Sequence, residues 1–414
     1  MAPSTALHVI DALNVGGAQE LLALLAKYRP PGRNMAVCVL QPDLEMAGRI
    51  EANGVPVFAL NRPRPSVASP LRFLAYALGS LRDIARLKKK LGADVIHGHL
   101  SDAEFLSILA GRISRARKTT ITFHTPLLLP ERENPCQPDS LVNRRINRVR
   151  DRRSDRHGDR RRMLLRNRLR DRLRLWVMRL LYRQADAVVA VSAETLIALR
   201  DAIGINPARL VHIPNGVDCD LLASRRPPES LRRELGLEPG DAVLLNVGRL
   251  TAQKGQIHLV KALAALAPDH PGLKLLIAGD GPDREELACA IARLGLGCRA
   301  FLLGSRDDIA DLLALADVVV VSSLWEGTSL SMMESMAAGK TMAVTDVAGN
   351  RELLEDGVSA LMFPPGDPEA MAAALGRLLT GRALADRLAA AAQAKARESF
   401  DIRRVAAAYE DLWK

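Results

Sequence analysis

The chain has no run of the ~18 apolar residues that a membrane-crossing helix requires, so no integral membrane span is expected. Its amino terminus lacks a basic stretch leading into an apolar segment, and a secretory signal is therefore not expected either. Cysteine is scarce: Cys38, Cys136, Cys219, Cys289 and Cys298 are scattered, odd in number and never spaced Cys-x-x-Cys. That pattern fits reduced cytosolic thiols better than disulfides or a zinc site. Aromatic residues make up 3% of the chain. None interleaves with the basic residues, and no DNA- or RNA-binding module is recognisable, which disfavours a nucleic-acid partner. A Gly-x-Gly-x-x-Gly fingerprint is missing, which disfavours a dinucleotide dehydrogenase. Gly339-Lys340-Thr341 ends like a phosphate-binding Walker loop, but Glu334 stands where its first glycine should be and the triplet follows a helix pattern instead of preceding one.

What is present is ordinary in bulk. A length of 414 residues predicts two domains, and 48% apolar with 25% charged residues suits a globular protein. The net charge of +11 is unevenly placed: Arg144 to Arg183 holds 17 arginines against Asp151, Asp155, Asp159 and Asp171, more than the whole surplus.

The most informative stretch is Val318 to Glu352. Four valines, Val318 to Val321, predict a strand buried on both faces, as in a parallel sheet. The loop Leu324-Trp325-Glu326-Gly327-Thr328-Ser329 follows, then a helix through Leu330, Met333, Glu334, Met336 and Ala337, with Gly339 as its C-cap. Small residues at Gly327, Thr328 and Ser329 allow a ligand close to the backbone, and the helix start offers unpaired N–H groups. A phosphate alone would not favour two acids beside it. A ligand with phosphates at one end and hydroxyls at the other would, since carboxylates accept strongly from sugar hydroxyls, so Glu326 and Glu334 point to a nucleotide sugar.

The pattern EGTSLSMMESMAAGK resembles the signature of the family 4 retaining glycosyltransferases. The resemblance implies an α/β chain of GT-B fold, two Rossmann-like doubly wound domains facing across a cleft. It covers nearly the whole chain, apart from the arginine-rich insert.

In chain order, short apolar runs at Leu7–Ile10, Met35–Leu40, Val55–Leu60, Asp94–His99 and Thr119–Phe123 alternate with helical patterns, among them Leu71–Leu91. Such alternation predicts a parallel doubly wound sheet. Gly16-Gly17 forms a strand-to-helix turn, read either as a plain turn or as a close backbone approach to a ligand; the resemblance makes it the glycine-rich loop facing the donor phosphates and acceptor. His97, His99 and His124 end strands without a spaced acidic or cysteine partner, so metal is not expected. The resemblance matches His124 to the histidine near the transferred sugar, with His99 a weaker candidate.

Arg144 to Arg162 is too charged to bury a core. Beyond it, Leu165, Leu169, Leu173, Trp176 and Leu180 form a helical apolar stripe. Three readings stand: packing on the first domain with solvated arginines, contact with an anionic membrane surface, and nucleic-acid binding. Packing combined with membrane contact is preferred.

Asp218-Cys219-Asp220 mimics an Asp-x-Asp metal motif, but it trails an Asn-Gly turn and precedes the proline-rich connector at Pro227-Pro228. The second domain opens with the strand Ala242–Val247 and then Gly248-Arg249-Leu250-Thr251-Ala252-Gln253-Lys254-Gly255. Arg249 and Lys254 lie where a diphosphate would sit, each contributing roughly 4 kcal/mol of gross attraction at an effective dielectric near 20. Two such cations and a helix N-terminus supply what a magnesium ion supplies elsewhere. Further strands are expected at Leu273–Ala278, before Gly279-Asp280-Gly281, and at Phe301–Leu303, before Ser305 and Arg306.

Carried onto this sequence, the resemblance implies that Arg249 and Lys254 stabilise a leaving diphosphate, helped by amides from Thr328 to Leu330. Glu334 would hold ribose hydroxyls and Glu326 the sugar near its anomeric carbon. Gly281 would line the donor site, and the backbone at Ser305 and Arg306 would meet the base. Ala348, Ser329, Thr341 and Arg351 depart mildly from the family pattern. The expected domains are 1–220 for the acceptor, with the insert at 144–183; 221–395 for the nucleotide sugar; and 396–414, a helix returning to the first. The implied activity is metal-independent retaining transfer of a hexosyl unit to a cell-envelope polysaccharide or lipid-linked acceptor, in the cytoplasm and peripheral to the membrane. A sugar-nucleotide epimerase, or a non-catalytic homologue binding membrane or nucleic acid, are the alternatives.

Overall fold

The computed structural model describes residues 5–66, 69–124, 176–226 and 229–414. The chain divides into two compact units, one formed by Met1–Gln19, Pro30–Ile213 and Leu412–Lys414, the other by Glu20–Arg29 and Pro214–Asp411. Each is built on one all-parallel sheet.

The first sheet contains β1 (Thr5–Ile10), β2 (Asn34–Val39), β3 (Val57–Ala59), β4 (Val95–His99), β5 (Lys118–Phe123), β6 (Ala187–Ala190) and β7 (Leu210–His212), in the order β3-β2-β1-β4-β5-β6-β7. The second contains β8 (Ala242–Val247), β9 (Leu273–Ala278), β10 (Ala300–Gly304), β11 (Val318–Val321), β12 (Thr341–Thr345) and β13 (Leu361–Phe363), in the order β10-β9-β8-β11-β12-β13. Both orders run outward from a central pair, β1 with β4 and β8 with β11. At such a switch point the loops leaving the two strands turn to opposite faces, and in open α/β sheets ligands bind there, beyond the strands' carboxyl ends.

The valine run behaves as its composition requires. Val318 and Val320 enter one apolar cluster with Leu244 and Val260, while Val319 and Val321 enter another with Leu245 and Met333. β11 pairs with β8 at Val318↔Leu244 and with β12 at Val318↔Thr341, so its backbone is bonded on both sides. A strand so placed has no wet face, which is why it carries no polar alternation.

The first sheet breaks this rule on one face. Leu7, Val9, Cys38 and Ile96 share an apolar cluster. The alternate positions hold His8, His97 and His99, beside Thr120 and Thr122, all fully buried. His8 is in register with His97, and His97 with Thr120. Trp413, grouped with this unit, lies edge-on to His8 and His97 at ring-centroid distances of 5.1 and 5.7 Å.

Arg144–Arg162 and Leu165, Leu169 and Leu173 lie outside the described residues. The described end of that segment corrects the packing read from its stripe. Residues 176–182 are helical and pack through Met178 and Tyr182, whereas Trp176 and Leu180 are 58% and 51% exposed. Met178 and Tyr182 stand one turn apart on the other side of the helix, and the Tyr182 hydroxyl donates to the buried Glu104 at 2.8 Å. A large ring that also satisfies a buried acid secures that face. Among the described residues, no helix is long and apolar enough to cross a membrane.

Candidate functional site

At the switch point of the second sheet, the loops after β8 and β11 are tied together. Leu324 N–H donates to the Gln253 carbonyl at 2.7 Å, the Gln253 amide to the Trp325 carbonyl at 3.1 Å, and the Ser322 hydroxyl to the Lys254 carbonyl at 2.8 Å. Gly255 has φ +62° and its missing Cβ would lie against the Ser322 carbonyl, so the two loops touch only because this residue is glycine. The result brings Lys254 Nζ to 2.6 Å from Glu326 Oε2. The two side chains are 21% and 8% exposed, and Ser323 donates to the same carboxylate oxygen at 2.7 Å. Ser323 was not singled out from sequence; its place at the end of β11, three residues before the glutamate, was the available signal.

The other expected residues separate into groups. Arg249 is exposed on the same loop and makes no ion pair with the described residues. Gly327, Thr328 and Ser329 lead into the helix Leu330–Ala337, whose first turn is held to the end of β8 by Ser331 Oγ donating to the Val247 carbonyl at 3.3 Å. Glu334, partly exposed, lies one turn into that helix. Gly349, in the first turn of the helix Ala348–Leu353 after β12, packs against the carbonyls of Glu326 and Gly327 where no Cβ would fit. Gly281 packs equally closely on Leu250, and Leu250 N–H donates to the Asp280 carbonyl at 3.0 Å. Ser305 and Arg306 follow β10, the edge strand. The Arg306 guanidinium is committed to Asp308 at 2.6 Å and Glu234 at 2.8 Å, and these hydrogen bonds push its pKa further up. Two carboxylates thus already satisfy its side chain.

The Asp-x-Asp carboxylates are likewise occupied. Asp218 caps the helix Cys219–Ser224, pairs with Lys27 at 2.8 Å and accepts from the Tyr28 hydroxyl. Asp220 pairs with Arg397 at 3.1 Å and Arg403 at 2.9 Å.

In the first unit, Gly16 and Gly17 lie at the turn into the helix Gly17–Lys27, next to Gln19, which donates to the Ala12 carbonyl and the Asn14 side chain. Asp11, at the end of β1, accepts from the amides of Ala103 and Asp102 at the start of the helix Ser101–Ile113. Burial pushes its pKa up to about 6 against the pull of those amides. His124 closes β5. His8, which sequence reasoning passed over, joins the expected histidines: His8 Nδ1 lies 2.9 Å from His99 Nε2, and His99 Nδ1 lies 3.0 Å from His124 Nε2. Its signal was a polar residue alternating with Leu7 and Val9 in a buried strand. Burial lowers the pKa of His8 and His124 to about 3 and those of His97 and His99 well below 6.5, so all four rings are neutral.

Among the described residues, His8, His97 and His99 are the group whose ligand atoms lie close enough together for a metal, within 4.8 Å. Their rings stack nearly parallel, 4.5 to 5.3 Å apart, and both His97 nitrogens are engaged outside the group, by Thr120 and Thr122, each at 2.7 Å. Lone pairs of stacked rings do not converge on one point, so this group does not suit a tetrahedral ion.

Two parallel-sheet units, each with a switch point at its carboxyl edge, define the GT-B class of glycosyltransferase fold. Structural comparison agrees: the HepE protein of Anabaena, solved in complex with UDP, matches with a TM-score of 0.74 at 23% identity, covering 99% of each chain. The profile for "Glycosyltransferase Family 4" matches residues 15–221, half of the chain, and that for "Glycosyl transferases group 1" matches 228–395. The chain belongs to glycosyltransferase family 4. It is 33% identical over 236 residues to a glycogen synthase of Mycobacterium tuberculosis, covering 56% of this chain and 55% of that one. It is 26% identical over 360 residues to a 2-deoxystreptamine glucosyltransferase of Streptomyces kanamyceticus, covering 84% and 85%. The chain spans about half or less of the length of the first curated relatives it matches.

Proposed function

We propose that this chain is a retaining, metal-independent glycosyltransferase that moves a hexosyl unit from a nucleoside-diphosphate sugar to a cell-envelope polysaccharide or lipid-linked acceptor. The observation that carries the reading is the Lys254–Glu326 pair at 2.6 Å on the switch-point loops, with Arg249, which forms no ion pair among the described residues, beside Lys254 on the same loop. An arriving diphosphate offers Lys254 a more highly charged partner and frees Glu326 for a sugar hydroxyl. The amides opening the helix Leu330–Ala337 add donors of the kind that bind anions, and Glu334 takes the ribose hydroxyls.

We assign donor binding to the second unit and acceptor binding to the first, where His124 and Gly16-Gly17 serve the sugar. The bond from the anomeric carbon to the diphosphate oxygen breaks, the acceptor oxygen attaches on the same face, and the departing phosphate oxygen takes the acceptor's proton. No side chain needs to act as a base. Independence of metal is supported by the commitment of Asp218 and Asp220 to ion pairs. The hexosyl donor is supported by relatives named for glucosyl transfer and glycogen synthesis. A cytoplasmic enzyme drawn to an anionic membrane surface by Arg144–Arg183 is supported by the charge of that segment.

The decisive experiment compares the chain and its Lys254→Ala variant against UDP-, GDP- and ADP-sugars. Turnover should fall by roughly 10²-fold or more in the variant, the usual loss for one stabiliser of departing charge. An unchanged kcat would remove Lys254 from that role.

A further inference from the structure

We infer that the outward face of the helix Pro70–Leu91 docks the first unit on an anionic lipid surface, with Leu71, Leu74 and Leu78 entering the lipid and Arg82, Arg86 and Lys89 meeting its headgroups. This deepens the reading above, in which the acceptor is lipid-linked, but its binding test does not depend on transfer activity.

Each residue of a helix is rotated by about 100° from the one before. By that count Leu71, Leu78, Arg82 and Lys89 fall within about 40° of one line along the helix, with Leu74 and Arg86 flanking it. Tyr76, Ser80 and Ile84 hold the opposite side and are buried. The leucines therefore stand at the outer pole of the helix. Leu71 is 82% exposed, Leu74 54% and Leu78 57%. None of them joins the apolar cluster of Leu7, Val9 and Ile84, on which Ala77, Leu81 and Leu87 pack. A single leucine on a surface is ordinary, but three on one face within two turns form the kind of apolar patch that marks an interaction site.

Further along, the same face becomes basic. Arg82, Arg86 and Lys89 are exposed. Asp83 is the single acid of the helix, against Arg72, Arg82, Arg86 and Lys88 to Lys90. It is shared by Arg62 at 2.6 Å, Arg82 at 3.4 Å and Arg86 at 4.0 Å, so positive charge remains in excess. Leucines beside arginines and lysines on an exposed helix are what an anionic membrane interface holds.

Charge selects this occupant over the others. The arginine-rich segment Arg144–Arg183 has the same sign as the helix and would be repelled by it. Three leucines offer far less than the ~800 Å² per partner that a stable dimer buries. An anionic lipid surface answers both halves of the face. The chain leaves β3 at the carboxyl edge of the sheet and enters β4 at the amino edge, so the leucines lie at the end of the helix nearer the β1–β4 switch point. Ligands of open α/β sheets bind at that edge, and a lipid-linked acceptor would be presented to it.

The test is sedimentation of the full chain with vesicles of equal parts phosphatidylglycerol and phosphatidylcholine, beside vesicles of phosphatidylcholine alone. The wild type should bind the mixture and not the neutral lipid. In the double variant Leu71→Gln, Leu78→Gln the partition coefficient should fall by about tenfold or more, the loss expected when two leucines no longer enter the lipid. High salt screens the attraction of Arg144–Arg183, so what binding remains there should depend on the leucines. Leu78→Trp should gain emission that brominated lipid quenches, over the signal of the wild type. Equal binding by the double variant overturns the proposal, as does a tryptophan at 78 that brominated lipid leaves unquenched. A dimer in solution that the double variant dissociates also overturns it, since the face would then belong to a second copy. Both leucines are at the surface, so the double variant should melt near the wild type and transfer to a soluble acceptor should be unchanged. Vesicle binding without transfer from any nucleotide sugar would remove the functional reading and leave this one standing, and transfer without leucine-dependent binding would do the reverse.

Discussion

Lys254 and Glu326 hold each other in a half-buried setting, and removing either leaves the other exposed to a different penalty. In Glu326→Gln the Ser323 hydroxyl still finds an acceptor, so the loop should keep its shape while losing an acceptor charge for the sugar. We expect its melting temperature to stay near wild type and its turnover to fall, checked by thermal melts beside initial rates. Glu104 makes a different demand. Burial pushes its pKa up to about 8 from 4.5, against the bond from Tyr182 and with a small contribution from Asp11. Above pH 4.5 the unfolded chain releases this proton while the folded one keeps it, so this group's contribution to stability is full below 4.5 and is lost as pH rises towards 8. Glu104→Gln keeps an acceptor for Tyr182 without that proton. Its melting temperature should gain on wild type between pH 5 and pH 8, and a gap constant across that window would show that Glu104 is ionised in the fold. The residue scale is also where sequence reasoning was weakest. The Arg306 guanidinium is occupied by Asp308 and Glu234, and no spacing rule reveals the second of these, 72 positions away.

At the scale of elements, the chain was far more legible. Val318–Val321, Ala242–Val247, Leu273–Ala278 and Leu330–Ala337 are strands and a helix within the limits their patterns predict, because a fully buried parallel strand must be apolar throughout. Asp367 accepts from the amides of Glu369 and Ala370, both at 3.0 Å, to start the helix Pro368–Thr380. Asp367→Ala should cost about 1 kcal/mol, measured by denaturant unfolding. Gly255 is the sharper test of an element junction. Gly255→Ala adds a Cβ at φ +62° against the Ser322 carbonyl. It should lower stability by more than the roughly 1 kcal/mol that glycine-to-alanine changes usually involve, and weaken donor binding with it. Of the stripe, the described Trp176 and Leu180 do not pack as expected, because helical spacing identifies a face but not which face the protein covers.

At the scale of the molecule, the function rests on the second sheet's order, which places β8 beside β11 although 70 residues separate the end of one from the start of the other. That adjacency joins Lys254 to Glu326. A thermal-shift panel of UDP, GDP and ADP with their sugars reads the site as a whole: a nucleotide at 100 times its Kd should add about 2.7 kcal/mol of stability. A panel in which none raises the melting temperature would remove the nucleotide-sugar reading. Sequence by itself determined the alternation of strands and helices, the two-sided burial of the sheets and the chemistry of the switch-point loops, because each depends on periodicity and composition over a few neighbouring residues. Tertiary structure alone decided which charges are free and which are already paired, and brought His8 into line with His99 and His124. Those outcomes depend on distances between residues remote in the chain, which only the packing of the finished sheets sets.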